Sequence, residues 1–179
     1  MTRQRPIPTV AQIALLAGFG VVAIYAGLIP LGTADGLAVP DLLYCLAVAW
    51  VIRRPASAPL WIILGLGLFG DIMLSRPIGL GALGLMLATE AMRANAAVFH
   101  GSPVVLEWLA AVLAFALMVA GMEVLLRLSF ADGPGATPLL GYVLSTAVAY
   151  PIVAAGLVWG LGLRAPRGSR TGDRLGRLP

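Results

Sequence analysis

The sequence predicts an all-α integral membrane protein of about six transmembrane helices. Hydrophobic residues make up 60% of its 179 residues and charged residues 11%, and the mean hydropathy is +0.95. A water-soluble domain has about 45–50% apolar and about 25% charged residues, so a surface with this few charges is expected to face lipid. The length allows several spans of about 20 residues and little else. We therefore expect one transmembrane domain over residues 1–163 and a short tail over residues 164–179.

Six apolar segments are the predicted helices, separated by the proline, glycine and arginine residues typical of turns and helix ends. They cover residues 10–31, 37–52, 59–75, 78–94, 104–128 and 139–163. Segments two to four are short, so tilted or re-entrant helices are an equal interpretation of them. The first segment follows Arg3 and Arg5, as in a signal peptide. Because it is longer than the apolar region of a signal peptide and more segments follow, we expect a retained helix.

The positions of the arginines predict the orientation, since cytoplasmic loops of membrane proteins are enriched in basic residues. With the N-terminus in the cytoplasm, only Arg76 and Arg127 of the twelve basic residues, all Arg, lie outside. Tryptophans favour the headgroup layer, and four of them fall near the predicted inner ends of their segments: Trp50, Trp61, Trp108 and Trp159. Both termini are therefore expected on the cytoplasmic side of the membrane.

The tail over residues 164–179 is rich in Arg, Gly and Pro, which predicts disorder. Its five arginines either only fix the topology or also contact anionic lipid, at roughly 1 kcal/mol each. A sequence pI near 10 also suits nucleic-acid binding. The arginines are scattered over loop ends and the tail, which favours the membrane interpretation, and no nucleic-acid partner is expected.

Six ionisable residues inside or at the ends of the segments are functional candidates, because such residues are costly in lipid. They are Asp41, Asp71, Glu90, Arg93, Glu107 and Glu123. Sequence spacing pairs Glu90 with Arg93 and Glu123 with Arg127. Asp71 is expected to organise the following turn, through Arg76 or through backbone donors. We favour this structural role over a proton relay, and we expect no catalytic residue, no cofactor and no metal ligand.

The alternative for Asp41 and Asp71, which both approach the outer face, is a membrane aspartyl protease, in which paired aspartates activate water. Lipoprotein signal peptidases have asparagine beside their aspartates, whereas the single Asn95 is far from both Asp41 and Asp71. Asp41 follows Pro40 at a helix start, where an acid complements the helix dipole. His100 stands alone in a loop and is not expected to bind a metal.

Glycines in segments three, four and six predict close helix packing. Residues 65–70 match the GxGxxG pattern, but they lie inside an apolar segment and not after a strand, so a dinucleotide loop is excluded. These glycines and those of residues 79–84 suggest a tight hairpin of segments three and four. Gly156 and Gly160 form a GxxxG pattern that predicts a helix-contact face. Pro151 should kink segment six, with Ser145 and Thr146 close enough to help satisfy the freed carbonyls.

Residues 66–83, LGLFGDIMLSRPIGLGAL, resemble the signature region of MreD, the rod shape-determining membrane protein of bacteria. That family has a glycine-rich span ending in an aspartate, a short Ser/Pro/Leu-Gly turn and a second apolar span. The resemblance is sharp over about residues 60–95 and compositional elsewhere, and position 76 is variable in the family. The resulting structural or partner-contact candidates are Gly70, Asp71, Arg76, Pro77, Gly79, Gly81, Gly156 and Gly160.

The resemblance implies a non-enzymatic scaffold of the cell-elongation complex. Proteins of this kind pair with MreC, a single-span protein, and help couple MreB filaments to RodA and the penicillin-binding synthases. The family also resembles, in fold, the substrate-binding components of energy-coupling-factor transporters, which gives the alternative of a vitamin-sized ligand. The loops at residues 32–36 and 131–137 are short and chemically plain, which favours the scaffold.

Overall fold

The computed structural model describes residues 9–29, 38–99, 102–130 and 135–161. Predictions for Arg3 and Arg5, His100, the loop at residues 32–36 and the tail at residues 164–179 lie outside these residues. The described residues contain helices and no strand, as the sequence predicts. The helices are α1 (Thr9–Leu28), α2 (Leu42–Arg53), α3 (Leu60–Met73), α4 (Leu80–Ala94), α5 (Ala96–Phe99), α6 (Val104–Leu128) and α7 (Ala136–Leu161), with a 3₁₀ turn at Pro55–Ser57.

Each of the six predicted segments corresponds to one helix: α1, α2, α3, α4, α6 or α7. These six helices fall into two length classes. In the described part of the chain, three helices are long and apolar enough to cross a membrane: α1, α6 and α7. Helices α2, α3 and α4 have 12, 14 and 15 residues, or about 18–23 Å at 1.5 Å per residue. That length is less than the hydrocarbon core of about 30 Å.

Helix α2 is the centre of the bundle. Every residue from Leu43 to Arg53 is buried, so the helix is enclosed on all sides. It packs against α1, α4 and α7, and the 3₁₀ turn folds back on its C-terminus. A helix that is apolar all round belongs in the interior of a protein. Because protein and not lipid surrounds α2, its ends need polar partners from neighbouring helices.

Helices α3 and α4 form the tight hairpin that the glycines predict. An added Cβ at Gly67 would lie 2.7 Å from the Cα of Ala82, so the two backbones meet at this point. Gly79 directly precedes α4 with φ of +90°, a left-handed conformation that suits glycine. A side chain at Gly81 would collide with the carboxylate of Asp71. The close approach therefore depends on the absence of side chains at these glycines.

The predicted tryptophan belt is wrong for Trp50 and stays a prediction for the other three residues. Trp61 and Trp159 are 66% and 85% exposed, and Trp108 is half-buried. Trp50 is fully buried, and its indole N–H donates to Ser57 Oγ in the 3₁₀ turn at 3.0 Å. The position of Trp50 near the inner end of a segment does not decide its environment, because α2 has no lipid-facing side.

Pro151 lies inside α7, and the carbonyl that it leaves unpaired receives a donor from another helix. Proline lacks the N–H that would bond four residues back, to Ala147. The indole N–H of Trp108 in α6 donates to this carbonyl at 2.8 Å. The prediction that Ser145 and Thr146 would help is wrong, because their hydroxyls bond to other groups.

The hairpin contact gives a paired test within one helix. Gly67→Ala should cost about 1–3 kcal/mol of stability, because overpacking forces the backbones apart. Gly65→Ala is the control, since a Cβ there has no described atom within 4 Å, and it should gain up to about 1 kcal/mol from reduced chain entropy. Thermal unfolding midpoints in mild detergent measure both. Equal midpoints for the two variants would contradict the close contact.

Candidate functional site

Asp41 fixes the N-terminus of α2 to two other parts of the bundle. Its Oδ1 accepts the N–H of Tyr44 at 2.9 Å and caps the helix. Its Oδ2 accepts from Arg76 Nη1 at 3.1 Å and from the Tyr142 hydroxyl at 2.5 Å. The Asp41 N–H donates to Thr146 Oγ1 at 3.0 Å. We call Asp41, Arg76, Tyr142 and Thr146 the Asp41 cluster; it joins α2 to α7 and to the turn between α3 and α4.

A second cluster fixes the C-terminus of α2. Arg53 Nη1 donates to Glu107 Oε1 at 2.8 Å and to the Ala49 carbonyl at 2.9 Å. The Tyr150 hydroxyl donates to the same Glu107 oxygen at 2.8 Å. The side chains of Arg53 and Glu107 are 7% and 9% exposed. We call Arg53, Glu107 and Tyr150 the Glu107 cluster; it joins α2 to α6 and α7.

The two clusters place charge where the α2 dipole favours it. Asp41 lies at the positive N-terminus of the helix and Arg53 in the negative last turn. Removing one partner of a buried ion pair leaves an uncompensated charge and costs about 3–5 kcal/mol. The clusters therefore hold α2 at a defined position along its axis relative to α6 and α7.

Asp71 organises the turn between α3 and α4 through backbone donors. Its Oδ2 accepts the N–H groups of Gly79 and Ala82 at 2.9 and 3.1 Å. Helix N-termini leave such N–H groups without partners inside the helix, and Asp71 is only 2% exposed. Of the two predicted partners, backbone donors are right and the Arg76 side chain is wrong. The Arg76 guanidinium bonds to Asp41 instead. The Asp71 carboxylate is turned toward the N-terminus of α4, where it packs against Gly81.

The pairs predicted from helical spacing are both present. Glu90 and Arg93 are 2.9 Å apart, and Glu123 and Arg127 are 2.8 Å apart. Arg93 also donates to the carbonyls of Pro55 and Ala58, both at 2.5 Å. It therefore fastens the connection between α2 and α3 to the end of α4.

The remaining candidate residues divide between core and surface. Gly70 is buried, and a Cβ there would touch Leu43 and Ile24. Pro77 is exposed in the turn before α4. Gly156 and Gly160 are exposed on α7, and a Cβ at either has no atom of the described residues within 4 Å. The GxxxG face therefore makes no close helix contact within the described part of this chain.

The two cavities lined by Asp41 itself are small. One, lined by Asp41, Tyr44, Asp71 and Arg76, has a volume of about 20 Å³, and another, lined by Gly27, Pro40 and Asp41, about 50 Å³. The first has room for one water molecule. Small-molecule sites have about 300–1,000 Å³, so neither cavity holds a vitamin-sized ligand in this arrangement.

The fold and the two clusters define a helical membrane protein whose charged side chains join its own helices together. Over residues 9–159 the sequence matches the family model of the rod shape-determining protein MreD. The match covers most of the chain, so the chain belongs to the MreD family, and the resemblance drawn from residues 66–83 is confirmed. It therefore has a role in rod shape determination, in a family that is part of the MreBCD shape complex.

Neither the search of the curated proteins nor the search of the solved structures found a match. The expected likeness in fold to vitamin-transporter components therefore stays a prediction.

Two substitutions at Asp71 separate a structural role from a chemical one. Asp71→Leu leaves the N–H groups of Gly79 and Ala82 without an acceptor, at about 1–3 kcal/mol for each buried group, and should lower the yield of folded protein. Asp71→Asn keeps an acceptor oxygen and should largely preserve the yield. Fluorescence-detected size-exclusion chromatography measures folding, and cell shape measures function. Normal yield with lost cell shape for Asp71→Asn would assign the carboxylate a chemical role.

Proposed function

We propose that this chain is a non-enzymatic scaffold of the cell-elongation complex in the bacterial inner membrane. It holds an MreC-like single-span protein and so helps couple MreB filaments to peptidoglycan synthesis by RodA and the penicillin-binding synthases. The family match over residues 9–159 is the observation that carries this proposal. The pairing of Asp41, Arg53 and Glu107 within the bundle supports the non-enzymatic part, because these groups are engaged in joining helices.

The face of α7 that carries Gly156 and Gly160 is the first candidate for the partner contact. Lipid tails are as apolar as leucine, so helices in a membrane associate through close packing and hydrogen bonds. Small residues allow a second backbone to approach closely. Both glycines are exposed, and a Cβ at either has no described atom within 4 Å, which suits the close approach of a helix of another protein.

The proposed orientation puts the Asp41 cluster toward the periplasm and the Glu107 cluster toward the cytoplasm. Arg53, Arg93 and the exposed Trp61 lie at the same end of the bundle as Glu107, in keeping with the positive-inside bias. In this arrangement residues 1–163 form the transmembrane domain. Residues 164–179 then follow as a cytoplasmic tail.

Cysteine labelling tests the orientation. In a Cys45→Ala background, Ser129→Cys and Thr137→Cys should react with a membrane-impermeant maleimide in intact spheroplasts, because both positions are exposed at the proposed outer end. Asn95→Cys, exposed at the other end, should react only after lysis. Labelling of Asn95→Cys in intact spheroplasts would reverse the orientation.

Bulky substitutions on the α7 face test the assembly role. Gly156→Leu and Gly160→Leu should release a co-expressed MreC-like single-span protein without changing the melting temperature of the bundle, since neither side chain meets a described neighbour. Gly18→Leu, at an exposed glycine of α1 with equal open space, is the control. Co-purification in mild detergent is the measurement. Wild-type protein that recovers no single-span partner and binds a vitamin-sized ligand tightly would replace the scaffold with the transporter-component alternative.

A further inference from the structure

An apolar groove runs between α4 and α6 on the surface of the bundle. It has a volume of about 380 Å³ and includes Gly84, Ala88, Ala114 and Gly121 among its lining residues. It extends from Leu80 to Ala91 along α4 and from Ala114 to Leu125 along α6, or about 16 Å on each helix. That length is three turns of an α-helix.

The groove combines small residues with exposed leucines. Leu83, Leu87, Leu117 and Leu125 also line it and are 51–65% exposed. A Cβ at Gly121 has no described atom within 4 Å, whereas one at Gly84 would meet Met118 and Met122 of α6. The two helices thus touch through Gly84 and leave open space at Gly121, where another backbone can approach.

A buried carboxylate oxygen adjoins this groove without a partner. Glu123 Oε1 accepts from Arg127 at 2.8 Å, but Glu123 Oε2 is buried and has no hydrogen-bond partner among the described residues. Glu123 is 8% exposed and lines a cavity of about 190 Å³. This cavity shares Leu80, Met118 and Met122 with the groove.

The other polar groups that line this cavity are already engaged. Arg76 and Tyr142 both bind Asp41. A polar atom in an apolar environment is unfavourable without a hydrogen bond. Glu123 Oε2 therefore calls for a donor that comes from outside the described chain.

We propose that the groove between α4 and α6 receives one transmembrane helix of a partner protein, and that a donor side chain of that helix binds Glu123 Oε2. The donor is a hydroxyl, an amide or a basic group placed level with Glu123. This inference rests on the proposed function, because it takes the partner to be another membrane protein. The groove is an alternative to the face of Gly156 and Gly160 as the seat of the partner's one span, so Gly121→Leu and Gly156→Leu are not both expected to release the partner.

The shape of the groove and the unpartnered Glu123 Oε2 favour a helix over an acyl chain. An acyl chain offers no hydrogen-bond donor. A helix supplies both an apolar face for the leucines and a donor at one position. Small residues at the contact, such as Gly121, are what close helix packing in membranes uses.

Neighbouring residues of α6 provide a matched test of the groove. Gly121→Leu should reduce recovery of the co-expressed single-span protein at least about fivefold, the size expected from losing one close helix contact. Ala120→Leu, at an exposed position outside the groove lining, should leave recovery unchanged. Both variants should keep the wild-type melting temperature, because neither side chain points into the described core.

Substitutions at Glu123 provide a second test of the proposed contact. Glu123→Leu removes the acceptor and should lower recovery about fivefold, whereas Glu123→Gln keeps an acceptor oxygen and should retain most of it. A photo-crosslinking residue at Leu117 should form an adduct with the single-span protein in intact membranes. Adducts with lipid alone, or full recovery with Gly121→Leu, would overturn the groove while leaving the scaffold role intact. No recovery with the wild-type chain would overturn the scaffold role and the groove together.

Discussion

The two ion pairs at the ends of α2 are the interactions on which the rest of the bundle depends. Helix α2 is short and enclosed by protein from Leu43 to Arg53, so the groups at its two ends need polar partners within the chain. Asp41 and Arg53 each take a partner from elsewhere in the chain, and each pair is bonded by a tyrosine of α7. Helix α7 is thereby fixed parallel to α2 at two levels.

Local patterns in the sequence predict the helices and the ion pairs within one helix, but they do not predict the ion pairs between helices. Helix α6 begins and ends where its apolar run does, and the Glu123–Arg127 pair follows from one helical turn. The Arg53–Glu107 pair joins residues 54 positions apart. Arg53 and Glu107 both lie at the predicted inner ends of their segments, so the sequence places them at a similar depth in the membrane. Depth does not show which faces of two helices pack together. For the same reason the sequence does not show that Trp50 is buried.

Polar side chains in this protein work as links between helices. Asp71 satisfies the first N–H groups of α4, Trp108 satisfies the carbonyl that Pro151 leaves unpaired, and Arg93 fastens the connection after α2. In lipid such links replace the hydrophobic drive that assembles soluble proteins. Because these polar groups bond within the bundle, the bundle meets its surroundings chiefly through apolar surface, which suits a member of a family that is part of the MreBCD shape complex.

The short α3–α4 hairpin has a consequence for the bilayer itself. Its helices measure about 21–23 Å, against a hydrocarbon layer of about 30 Å, and α2 does not shield them, since Trp61, Leu83 and Leu87 face outward. Where such a hairpin spans the bilayer, the lipids beside it compress or tilt to cover it, at a cost of fractions of a kcal/mol per Å of hydrophobic mismatch. Another protein seated against α3 and α4 relieves that deformation. The elastic energy of the membrane thus adds to the affinity of any complex formed on this side of the bundle.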